Sequence, residues 1–117
     1  AGRGIRHMTP GKYRVDYSAS AKSDLRAIFA YIAHTLKARL TAARQIDRLK
    51  AAALALDSFP ERHEIVERGY GRTEIRKFSV DNYIVFYSVN SQTKIVTIVR
   101  IFYGGRDVKN ITVAEEQ

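Results

Sequence analysis

Thr73-Glu74-Ile75-Arg76-Lys77-Phe78-Ser79-Val80, then Asp81-Asn82, then Tyr83-Ile84-Val85-Phe86-Tyr87-Ser88-Val89: two runs of β-forming residues flank a tight-turn dipeptide. Asp and Asn tolerate the backbone of a tight turn and hydrogen-bond locally, so this stretch predicts a β-hairpin. The first run alternates imperfectly through Ile75, Lys77 and Phe78. After a polar link at residues 90–93, Lys94 to Tyr103 is almost continuous Ile and Val, the pattern of a central strand covered on both faces. Gly104-Gly105 breaks it.

Upstream of the hairpin the period changes. Leu25, Ile28, Phe29, Ile32 and Leu36 fall at helical spacing behind Ser18 and Ser20, which offer N-cap oxygens. A second helix is expected from Thr41 to about Leu56, with Ile46, Leu49, Ala53 and Leu56 on one face and Arg44, Asp47, Arg48 and Lys50 mostly outward. Phe59-Pro60 ends it, because a residue before proline is pushed out of the α region. At the other end, Tyr13, Val15 and Tyr17 alternate with Lys12, Arg14 and Asp16, a half-buried strand. Residues 61–72 read as a mobile basic loop in which Gly69 and Gly71 flank Tyr70, with Arg72 following. The order is β-α-α-β-β-β. It predicts an α+β fold in which a helical hairpin packs on a mostly antiparallel sheet.

With 117 residues the chain has room for one domain, expected over residues 8–117. Residues 1–7 read as a leader of cloning origin ahead of Met8. Cysteine is absent, which removes disulfide scaffolds and thiolate chemistry and suits a reducing cytoplasm. His7, His34 and His63 are scattered without metal-ligand spacing, so neither a metal nor another cofactor is expected. His34 and His63 read as surface residues. No apolar run reaches the ~18 residues of a membrane span. The formal charge is +8; without Arg3 and Arg6 of the leader it is +6. That balance favours an anionic partner, whether nucleic acid, ribosome or an acidic protein segment.

Four segments in this order resemble the RelE/ParE toxin superfamily of type II toxin–antitoxin modules. They are the helix run Asp24-Leu25-Arg26-Ala27-Ile28-Phe29-Ala30-Tyr31-Ile32-Ala33, then Phe59-Pro60, then the hairpin from Gly71 to Val89. The last is Ile98-Val99-Arg100-Ile101-Phe102-Tyr103-Gly104-Gly105-Arg106-Asp107. The resemblance spans Tyr13 to Ile111 and implies a cytoplasmic toxin held in a hetero-oligomer by a cognate acidic antitoxin.

Two targets follow from the resemblance. A RelE-like member cleaves mRNA on the ribosome without a metal, and Arg106, Arg76, Lys77 and Tyr103 would carry that chemistry here. Cations answer the charge that builds on the scissile phosphate, and an aromatic ring stacks a base. Against this set, Ile84 stands where such nucleases carry an arginine. A ParE-like member inhibits DNA gyrase and needs no such set; Asn82 to Tyr87 and Tyr103 to Asp107 are more similar to that branch. Tyr70, Arg72, Arg106 and Asp107 are then the expected binding residues. An inactive interaction module acting only through its antitoxin is a further alternative. Beside these readings stand plainer ones. Arg106 and Asp107 also suit a surface ion pair, Arg76 and Lys77 a solvated strand face, and Tyr83, Phe86 and Tyr87 hairpin packing.

Overall fold

A computed structural model describes residues 12–68 and 73–104. Strand β1 (Arg14–Tyr17) leads into helix α1 (Ala19–Ala30), which runs on through a π-helical turn at Tyr31–Thr35. Helix α2 (Arg39–Leu54) antiparallels it, and two short 3-10 turns, Ala55–Asp57 and Pro60–Arg62, carry the chain to the sheet. Strands β2 (Glu64–Arg68), β3 (Glu74–Val80), β4 (Tyr83–Asn90) and β5 (Ile95–Tyr103) complete it. The sheet order is β1-β5-β4-β3-β2, antiparallel except for the β1–β5 pair. The α+β arrangement expected from the sequence is present, with one strand more than expected.

That strand is β2, where a loop was expected over residues 61–72. Ile65 and Val66 are neighbours rather than alternating because the register with β3 shifts between Ile65 and Glu67. A bulged, charged edge strand is how sheets discourage edge-to-edge pairing, and it leaves little period-two signal. The centre of the sheet is also not where the apolar content of β5 placed it. Strand β4 is the middle strand and is buried along nearly its whole length, whereas β5 buries chiefly Val96, Ile98 and Ile101. The spacing of those three breaks step because a register shift opposite Phe86 and Tyr87 makes Val99 the extra residue. The Asp81-Asn82 turn forms as expected, with Asp81 at φ 55°.

Ser18 caps α1: its Oγ accepts the Ala21 amide at 2.9 Å and donates to the Val99 carbonyl at 2.8 Å. One side chain thus starts the helix and pins it to β5. Further along α1, Asp24 closes the stretch of β5 beyond the end of the shorter β1. Its carboxylate accepts the Ile101 amide at 2.8 Å and the Arg100 Nε and a terminal guanidinium nitrogen at 2.9 and 3.0 Å. Helix α2 begins at Arg39 rather than behind Thr41, with no side-chain cap. Gln45 and Arg48 reach Asp81 at 2.9 and 2.8 Å and tie α2 to the β3–β4 turn. The Arg48 and then Gln45 bonds hold the Asp81 carboxyl down at about 2.

The core lies between the hairpin and one sheet face. Leu25, Leu49, Ala53 and Leu56 meet Tyr83, Val85, Tyr87, Val89, Val96, Ile98 and Ile101. Tyr87 is fully buried, and its hydroxyl donates to the Pro60 carbonyl at 2.6 Å. Burial is the main reason its phenol is pushed up to about 12. Tyr83, Phe86 and Tyr87 are therefore packing residues, as the plainer reading of the sequence held.

Candidate functional site

The π-helical turn shapes an apolar concavity. Leu36 donates its amide to the Tyr31 carbonyl five residues back, at 3.1 Å, which inserts an extra residue into the helical repeat. The phase shift turns Leu36 out of the apolar stripe to which its spacing assigned it; Leu36 and Tyr31 are each 55% exposed. Together with Ile28 and Ile32 of the first helix, Gln45 of α2, Asn82, Tyr83 and Tyr103 they line a groove of about 620 Å³.

Tyr31, Tyr83 and Tyr103 face this groove from a helix and two strands. Tyr83 and Tyr103 are register partners and meet edge-to-face, 5.6 Å between centroids. The Gly104 amide closes the strand end on the Asn82 carbonyl at 2.8 Å. Burial, then the neighbouring Tyr103, Tyr31 and Asp81, raises the Tyr83 phenol above its ordinary value. The three tyrosines set hydrogen-bonding rings beside apolar walls, a chemistry suited to an amphipathic segment.

The cationic candidates sit elsewhere. Arg76 is buried against the core, opposite Tyr87. Its guanidinium donates to the Glu61 and His63 carbonyls at 2.9 and 2.6 Å and to Glu74 Oε1 at 2.6 Å. It braces the second 3-10 turn and the start of β2. Lys77 pairs with Phe86 in register, on the opposite sheet face, and its Nζ lies 3.4 Å from Glu64. Adjacent residues of a strand point to opposite faces, so Arg76 and Lys77 do not address one phosphate. Tyr103 lies on the Arg76 side but two strands away, level with Val80 through Tyr83, roughly 13 Å further along the strand direction. Tyr70, Arg72, Arg106 and Asp107 lie outside the described residues.

A second, more polar groove of about 620 Å³ runs past Arg62, His63, Glu64, Lys77, Phe78 and Ile84. His63 is not the plain surface residue its sequence context suggests. Its ring stacks on Phe78 at 4.5 Å and 12° and meets Tyr87 edge-on at 6.2 Å. Burial first, then Arg62 and Arg76, lowers its pKa. A depressed histidine pKa means that the unfolded chain takes up the proton first. Stability is therefore retained above the ordinary value of about 6.5 and declines as the pH falls below it. The urea midpoint is expected to drop between pH 7.5 and 5.5, and to drop less in His63→Phe. Equal drops in the two proteins would remove His63 from this account.

Among the described residues no three metal-ligating side chains come together, and no helix is long and apolar enough to cross a membrane.

A helical hairpin on a five-stranded mixed sheet matches the RelE/ParE toxin fold. The solved chromosomal ParDE system of Pseudomonas aeruginosa superposes with a TM-score of 0.63 at 15% identity, over 80% of this chain and 97% of that one. The archaeal RelE–RelB complex of Pyrococcus horikoshii gives 0.58 at 20% identity, over 81% and 98%. The RelBE2 toxin–antitoxin complex of Mycobacterium tuberculosis gives 0.58 at 18%, over 81% and 94%. No curated protein matches in sequence. The family model described as the ParE toxin of the type II toxin–antitoxin system parDE matches residues 15–108. The chain belongs to that family of toxins, on the ParE-like branch of the superfamily.

Proposed function

We propose that this toxin arrests growth by ParE-like inhibition of DNA gyrase in the cytoplasm. One observation carries the reading. Among the described residues, the side chains that a metal-independent endoribonuclease would need are dispersed: Arg76 donates to carbonyls and Glu74, Lys77 is on the other face, and Tyr103 is two strands away. Gyrase inhibition is a binding event and asks only for a shaped surface. Tyr70, Arg72, Arg106 and Asp107 flank the described sheet in sequence and are proposed to supply that surface. In the RelE-like alternative Arg106, Arg76, Lys77 and Tyr103 act on mRNA at the ribosome.

The test is a supercoiling assay with purified toxin and gyrase beside a translation assay that maps mRNA ends. Loss of supercoiling with intact mRNA supports the proposal. Ribosome-dependent cleavage with unaffected supercoiling replaces it with the RelE-like reading. No effect in either assay points to the inactive interaction module.

We also propose a cognate acidic antitoxin whose segment covers the helical hairpin and part of the sheet, including Arg106. The solved relatives are toxin–antitoxin complexes. The tyrosine groove offers an apolar slot, and the formal charge, +6 even without Arg3 and Arg6, attracts an acidic chain. Exposed aromatic anchors of this kind carry on the order of 2 kcal/mol, about 30-fold in affinity. Tyr31→Ala and Tyr103→Ala are each expected to weaken antitoxin binding by that factor in calorimetric titration, without lowering the melting temperature. Unchanged affinity in both would move the antitoxin away from this groove.

A further inference from the structure

The outer face of α2 reads the same in both directions. Counting from Asp47, alanine stands four residues away on each side (Ala43, Ala51), leucine seven (Leu40, Leu54), and a basic residue three (Arg44, Lys50). At about 100° per residue the leucines lie within ~20° of Asp47 around the helix, the alanines within ~40° and the cations within ~60°. The core residues Ala42, Leu49 and Ala53 lie on the far side. This band is exposed: Leu40 and Leu54 are each 63% accessible, and Ala43, Arg44, Asp47, Lys50 and Ala51 are exposed with them. The ion pairs among the described residues engage α2 through Arg48 and leave Arg44, Asp47 and Lys50 unused.

We infer that this face pairs with the same face of a second copy, antiparallel, about a two-fold axis at Asp47. An isologous contact requires a self-complementary patch, which a palindromic helix face supplies. In that pairing Leu40 of one copy lies level with Leu54 of its partner, at both ends of a contact ~21 Å long. Ala43 lies level with the partner's Ala51, and these small side chains let the helices approach. At the axis the two Asp47 carboxylates meet inside a ring of four cations, Arg44 and Lys50 of each copy. Those cations would repel without the carboxylates, so Asp47 is the residue that makes the charges complementary.

A single pair of 16-residue helices lies at the small end of specific interfaces, so the dimer is weak and concentration-dependent. It uses the outside of α2, which carries none of Tyr70, Arg72, Arg106 and Asp107, so it is independent of the gyrase proposal, and it leaves the tyrosine groove open.

Sedimentation equilibrium of the full chain tests it. The weight-average mass is expected to rise from 13.3 kDa towards twice that value across the micromolar range. Leu54→Lys and Asp47→Lys are each expected to hold it at the monomer value. Both positions are exposed, and unchanged circular dichroism melts would show the fold intact. The cysteine-free sequence adds a second readout. Asp47→Cys brings two thiols together at the axis and should form a disulfide-linked dimer on mild oxidation, whereas Lys22→Cys on α1 should not. A mass fixed at 13.3 kDa throughout overturns the inference, as does a dimer indifferent to both lysine substitutions or equal cross-linking of the two cysteine variants.

Discussion

Asp24→Ala is expected to lower the unfolding free energy by about 3 kcal/mol, a large part of the ~5–15 kcal/mol that holds a domain of this size folded. Asp24 and Arg100 are only 14% and 17% exposed. The carboxylate accepts two guanidinium bonds and the Ile101 amide, which β1 is too short to pair. Removing it takes a two-point acceptor from a partly buried cation and the acceptor of a strand N–H at once, and both costs add to the loss of the attraction itself. Arg100 keeps its position 4.7 Å over the Phe102 ring, which places the loss at the lower end of the range for broken buried pairs. Asp24→Asn retains an acceptor for Ile101 and is expected to fall between the two. Urea unfolding gives all three values, and an alanine variant within 1 kcal/mol of the parent would show that the pair does not hold α1 to the sheet.

Tyr87→Ala is expected to cost as much, about 3–5 kcal/mol, as large aromatic deletions in closed cores do. The ring is fully buried in the central strand, edge-on to Phe78 at 5.7 Å and to His63 at 6.2 Å. Tyr87→Phe isolates the hydroxyl. It keeps the packing but leaves the Pro60 carbonyl without its 2.6 Å donor, at a cost of about 1–3 kcal/mol. The phenol of the parent, pushed up to about 12, should also ionise only at strongly alkaline pH in an ultraviolet titration. A phenylalanine variant as stable as the parent would mean that the Pro60 contact is not what fixes the turn after α2.

Both substitutions fall in segments that were legible in the sequence, and the reason is local. The apolar stripe of α1 and the Asp81-Asn82 turn are set by residues close together in the chain, so spacing alone reveals them. What stayed hidden depends on partners far away in sequence. Strand β2 exists because β3 offers it an edge, and its own residues lack alternation around the bulge at Val66. The π turn at Tyr31–Thr35 leaves the composition unchanged yet rotates Leu36 outward, which is why the tyrosine groove was not foreseen. Tyr103 stands out in the sequence through the family resemblance of its segment, while Tyr31 and Tyr83 read as ordinary helix and hairpin residues. Arg76 is the converse case. Adjacent basic residues in a strand suggest a charged face, but one of the pair turns inward to satisfy the carbonyls of Glu61 and His63. That distinction depends on the 3-10 turn at Pro60–Arg62, brought alongside by the fold.

The central claim is that this ParE-family chain stops growth by blocking gyrase. Pulse-labelling of DNA and protein synthesis in the first minutes after inducing the chain without an antitoxin tests it most directly. The account predicts that DNA synthesis fails first and a DNA-damage response follows, while translation continues. Translation failing first, with DNA synthesis intact, would contradict it.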